Sequence, residues 1–77
     1  MTRRRLPALS ADDVVRALER AGFSVHRIKG SHHHLRNPNR PRARPVVPMH
    51  RGDLPPGMLR AIIKQTGLSV REFLDFL

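Results

Sequence analysis

Phe23-Ser24-Val25-His26-Arg27-Ile28-Lys29-Gly30-Ser31-His32-His33-His34-Leu35-Arg36 is the stretch that decides how this chain folds. Phe23 and Val25 alternate there with Ser24 and His26, a period of two that belongs to an extended strand. Lys29-Gly30 is a tight-turn candidate, so Ser31 to Arg36 reads as a second strand returning along the first as a hairpin. On that second strand a core-facing Leu35 takes His33 with it. His32, His34 and Arg36 are then left together on the opposite face.

Upstream, Ser10 before Ala11-Asp12-Asp13 reads as a helix N-cap with acids in the first turn, where they meet the positive end of the helix dipole. Val14, Val15, Leu18 and Ala21 follow at helical spacing, and Gly22 stands where a helix ends. Downstream, Asn37 to Pro45 carries prolines and arginines and reads as a mobile basic loop. Val46 to Met49 is long enough for a short third strand, whose pairing Pro45 and Pro48 restrict. Asp53-Leu54-Pro55-Pro56 opens a second helix with a buried stripe of Met58, Leu59, Ile62 and Ile63, stopped by Gly67. Ser69 with Glu72 is a capping-box pattern for a short last helix carrying Val70, Phe73, Leu74 and Leu77. The expected fold is α+β: a helix, a three-stranded antiparallel sheet, a second helix and a short C-terminal helix. One domain spans residues 1–77, with residues 1–8, including Arg3, Arg4 and Arg5, expected as a flexible basic tail.

A chain of 77 residues can build only a thin core, since a domain of this size buries roughly 60% of the surface its unfolded chain exposes. Its net charge of +9 makes a polyanion the first partner to consider. The charge is unevenly spread. From Arg20 to Gly52 there is no carboxylate, yet Arg20, Arg27, Lys29, Arg36, Arg40, Arg42, Arg44, Arg51 and every histidine of the protein lie there. The absence of cysteine excludes a disulfide framework and a thiol nucleophile, and fits the reducing cytoplasm. No apolar run approaches the roughly 20 residues of a membrane span, and Met1 to Leu9 lacks the apolar region of a signal peptide.

Cutting a phosphodiester with bound metal ions calls for clustered Asp and Glu, which the basic middle lacks. Histidine can instead move protons near neutral pH. In RNA the neighbouring 2'-hydroxyl supplies an internal nucleophile, so one or two proton carriers and cations for the developing charge suffice. His32 is the best candidate, because Gly30 and Ser31 leave its surroundings open to an approaching backbone. His32 and His34 with His50 or His26 also make a conceivable three-histidine metal set, but no carboxylate in the segment is there to orient them, and the reading is therefore metal-free. His50 either lines the same site or caps a loop; its position after Met49 leaves both open. Lys29, Gly30, Ser31, His34, Arg36, Arg40, Arg42 and Arg44 are the candidates for supporting the chemistry or holding RNA.

Several of these features occur together in one order. Ala21-Gly22-Phe23 closes the first helix, Lys29-Gly30-Ser31-His32-His33 lies on the hairpin, and Val47-Pro48 with His50 follows the third strand. Leu59-Arg60-Ala61-Ile62-Ile63-Lys64-Gln65-Thr66-Gly67-Leu68-Ser69 comes near the end. From about Leu9 to Leu77 the chain resembles the HicA family of toxins from toxin-antitoxin pairs. The resemblance implies a double-stranded-RNA-binding-domain-like fold, with helices on one face of a three-stranded antiparallel sheet. It also implies an endoribonuclease, an mRNA interferase that cleaves messenger RNA independently of the ribosome, and a HicB-type antitoxin, expected to be acidic and to cover the histidine face. The family's essential histidine follows its Gly-Ser pair, which corresponds to His32. Two features depart from the pattern: Leu35 stands where an aromatic is common, and the loop of Arg40, Arg42 and Arg44 is unusually rich in arginine. The rival reading is a non-catalytic RNA-binding module on the same fold.

Overall fold

The computed structural model of the chain describes residues 6–77. The Arg3-Arg4-Arg5 part of the expected tail lies outside the described residues; Leu6, at its end, packs partly buried against the core. The elements in chain order are α1 (Ala11–Arg20), β1 (Ser24–Lys29), β2 (His32–Arg36), β3 (Val46–Pro48), α2 (Pro56–Thr66) and α3 (Val70–Leu74). The sheet is antiparallel with β2 in the middle, which is the α+β architecture expected from the sequence.

Local chemistry accounts for the element ends. Ser10 Oγ accepts the Asp13 N–H at 3.2 Å and Asp13 Oδ2 accepts the Ser10 N–H at 3.0 Å, a reciprocal cap that starts α1. These bonds to the ionised form hold the Asp13 carboxyl below its usual pKa. Ser69 and Glu72 repeat the device at α3, with bonds of 3.0 and 2.9 Å. α2 begins at Pro56, where a missing N–H costs nothing, and ends at Gly67 in the left-handed region at φ 77°. The β1–β2 turn is the two residues Gly30-Ser31; Gly30 has φ 58° and Ser31 a negative φ, which fits the type II′ turn that favours glycine at its first central position.

One core unites the elements. Val14 and Leu18 of α1, Leu35 of β2, Val47 of β3, Leu59, Ile62 and Ile63 of α2 and Phe73 of α3 form a single buried cluster. Burying side chains of this size is worth about 1.5–3 kcal/mol each. The apolar stripe of α2 is Leu59, Ile62, Ile63 and Thr66, at i, i+3, i+4 and i+7. Met58, expected in that stripe, is 38% exposed because it stands in the first turn, ahead of the packed face. Leu77, expected to belong to α3, lies beyond it and is 46% exposed. Thr66 tolerates full burial because its Oγ1 donates to the Ile63 carbonyl and accepts the Leu68 N–H at 3.0 Å.

The segment from Asn37 to Pro45 corrects the expectation of a mobile loop. Asn37 is buried: its Nδ2 donates to the Ala21 carbonyl at 3.3 Å and its Oδ1 accepts the Asn39 N–H at 2.9 Å. Two further backbone bonds, Arg40 N–H to Asn37 O and Ala43 N–H to Arg40 O, wind the segment into consecutive turns. Pro45 is fully buried and its carbonyl accepts the Leu35 N–H at 3.0 Å. A buried asparagine that satisfies three backbone groups makes this an anchored segment, which composition alone does not reveal.

Candidate active site on the open face of the sheet

The hairpin register determines what the face of the sheet away from the helices carries. Val25 pairs with Leu35 and Arg27 with His34, so one extra residue, His26, is accommodated between them as a β-bulge. Strict alternation from Val25 would have turned Arg27 toward the helices. The bulge resets the period, so Arg27 and Lys29 share the face of His34 and His32, while Ile28 pairs with His33 on the core side and stays 61% exposed. A cation on β1 is therefore set directly across from a histidine on β2 twice over, Lys29 opposite His32 and Arg27 opposite His34. Side chains so paired have Cβ atoms about 4.5–5.5 Å apart. On the other side of β2, His32 lies opposite Pro48 and His34 opposite Val46.

His33 occupies the other face, as expected from its spacing to Leu35. It pairs with the fully buried Val47, is only partly exposed, and its Nδ1 is buried with no hydrogen-bond partner among the described residues. His32 and Arg36 are exposed and His34 partly so. His26 joins the open face at the bulge. Partial loss of water, then the positive charges of Arg36, Arg44, His34 and Arg27, lower its pKa from the ordinary imidazole value. Sequence spacing places His26 opposite to Val25 but not among four charged or chargeable neighbours, because nothing local signals the bulge.

The expected loop arginines go separate ways. Arg44 reaches the neighbourhood of His26. Arg40 turns from the histidines, its Nη1 lying 3.5 Å from the Gly67 carbonyl at the end of α2, and its charge helps hold the Glu72 carboxyl below its usual pKa after the two bonds from Ser69. Arg42 lines a cleft with Lys64. His50 is also set apart. It lines a recess of about 290 Å³ with Ser10, Asp12 and Arg51 at the start of α1. Gly30 and Ser31 form the turn beside His32, and the Ser31 carbonyl accepts the Met49 N–H at 2.6 Å, which ties the turn to the end of β3. Among the described residues no three histidine or carboxylate side chains come together as a potential metal-holding group.

A carboxylate-free sheet face carrying histidines paired with cations, on a small α+β domain, has the electrostatics of a surface for polyanions. A family model described as HicA toxin of bacterial toxin-antitoxin matches residues 11–68, well over half of the chain. This chain belongs to the HicA toxin family. A comparison with curated proteins finds no match. Among the described residues no helix is long and apolar enough to cross a membrane.

Proposed function

We propose that the chain is the toxin of a type II toxin-antitoxin pair and an endoribonuclease that cleaves cytoplasmic messenger RNA, independently of the ribosome, through histidine acid-base chemistry without metal. The observation that carries this reading is the doubled cation-histidine pairing, Lys29 with His32 and Arg27 with His34. His32 takes the proton of a 2'-hydroxyl, whose oxygen attacks the adjacent phosphorus as the bond to the 5'-oxygen breaks. His34, two residues along and therefore about 6.6 Å away at roughly 3.3 Å per residue, returns a proton to the leaving oxygen. Lys29 and Arg27 meet the charge that develops on the non-bridging oxygens, and Arg36 and Arg44 hold the flanking backbone. The products are a 2',3'-cyclic phosphate and a 5'-hydroxyl. The same cationic face suits an acidic HicB-type antitoxin, which inhibits by covering the histidines.

The test is incubation of purified protein with messenger RNA in excess EDTA, with analysis of the product ends. Cleavage that persists and leaves cyclic or 3'-phosphate ends supports the mechanism. Activity that disappears with EDTA and returns with magnesium contradicts it. Tight RNA binding with no cleavage under either condition identifies a non-catalytic RNA-binding module.

A further inference from the structure

A cleft with cationic walls stands apart from the histidines. The Arg40–Ala43 turn and the C-terminal end of α2 flank a shallow, open cleft of about 480 Å³ lined by Arg40, Pro41, Arg42, Ala43, Lys64 and Gln65 among others. No carboxylate lines it, and Arg42 and Lys64 are both exposed. We propose that this cleft binds one nucleotide of the RNA strand outside the cleaved linkage, with Arg42 and Lys64 on its phosphate. The proposal rests on RNA being the substrate.

A helix C-terminus is ordinarily a poor place for an anion, because the unpaired carbonyls there carry the negative end of the helix dipole. Here Arg40 already occupies that end. Its Nη1 lies against the Gly67 carbonyl, so close that a Cβ on Gly67 would come within 3.2 Å of it, and its charge also faces Glu72. The Ile63 and Lys64 carbonyls are taken by Thr66 Oγ1 and the Gly67 N–H. Part of the negative helix end is thus met within the fold by Arg40 and by these two bonds, and Arg42 and Lys64 face the cleft.

One hydrogen bond ties the cleft wall to the edge of the sheet. Gln65 Oε1 accepts the Val46 N–H at 3.0 Å, and Val46 is the strand partner of His34. The end of α2 is thus one strand away from the proposed chemistry, across the β3 edge. Arg44, two residues along the chain from Arg42, acts on His26 at the open face, so the same segment supplies a cation to each place. The turn is held in place by the Asn37 anchor and the bonds from Arg40 and Ala43, so little conformational freedom is lost on binding. Pro41 and Ala43 add an apolar wall, which suits a ribose or base and which an acidic side chain would leave unused.

The experiment measures fluorescence anisotropy with 2'-O-methyl oligoribonucleotides, which keep every phosphate but lack the internal nucleophile, at about 4 and about 16 nucleotides over a range of salt. Wild type should gain affinity several-fold on the longer probe. Arg42→Gln with Lys64→Gln should lose that gain and flatten the salt slope on the longer probe by about 0.7 for each phosphate no longer neutralised. Arg42→Lys with Lys64→Arg should restore the slope, which separates loss of charge from a folding defect. An unchanged gain and slope in the glutamine variant overturns the proposal. So does polyglutamate binding wild type as tightly as the long probe with the same loss on substitution, since the cleft would then serve acidic protein segments. Absence of cleavage of ordinary RNA would defeat the nuclease reading and leave this result standing.

Discussion

Residues 33 and 35 of β2 face the helices, and residues 32, 34 and 36 face away, on one strand of five residues. Leu35 has no exposed surface and His33 lies against Val47, whereas His32 and Arg36 are open to solvent beside Lys29 and near His26. Three consecutive histidines therefore meet two environments. The first is apolar and tolerates an imidazole with one unpartnered nitrogen; the second is crowded with cations and favours whatever brings negative charge. Residue type alone does not separate these histidines; the pleat does.

The sharpest way to break the comparison is to remove the central side chain of the packed face. Leu35→Ala deletes a fully buried leucine from the strand at the centre of the sheet and should cost about 2–5 kcal/mol, read from denaturant unfolding. A loss below about 1 kcal/mol would mean that the core does not depend on this face as described.

A smaller effect sharpens the open face. The folded pKa of His26 is lowered, so between the unfolded value near 6.5 and that lower value the unfolded chain binds the proton and the folded chain does not. Protonation of His26 therefore penalises the folded state: stability is unaffected by it above pH 6.5, falls as the pH drops through that window, and levels off below it. In an NMR titration His26 should titrate below 6.5, and binding of a 2'-O-methyl oligonucleotide should move its midpoint upward, because phosphate offsets the surrounding arginines. A midpoint indifferent to the oligonucleotide would place the RNA elsewhere.

Much of this is legible in the sequence itself. Ser10, Gly67, the Ser69–Glu72 pair and Gly30 are local signals, and each marks the element end it was expected to mark. The alternation of Leu35 with His33 is equally local and separates the histidines correctly. What escaped has tertiary causes. The bulge at His26 carries no glycine or proline, and it decides that Arg27 faces His34. Arg40 finds its partner 27 residues away at Gly67, so the loop could not be divided by reading its own residues. His50 follows β3 by two residues, yet the chain turns there toward α1, where Ser10 and Asp53 pair as an isolated bridge, and it ends beside Asp12 rather than with His32. Lys64 and Gln65 read as ordinary exposed helix positions until the Arg40–Ala43 turn is placed against them.

The central claim is that the open face of β2 carries the chemistry and the packed face the fold. It is tested most directly by comparing His32→Ala with His33→Leu in one RNA-cleavage assay, with melting temperatures recorded for both. His32→Ala should lower the cleavage rate about 10²- to 10⁴-fold at a nearly unchanged melting temperature, since it removes the exposed histidine proposed as the proton carrier. His33→Leu should retain cleavage with stability equal to or above that of the parent, since it replaces a buried unpartnered nitrogen with apolar volume. Full activity in a folded His32→Ala protein, or lost activity in a fully stable His33→Leu protein, would contradict the account.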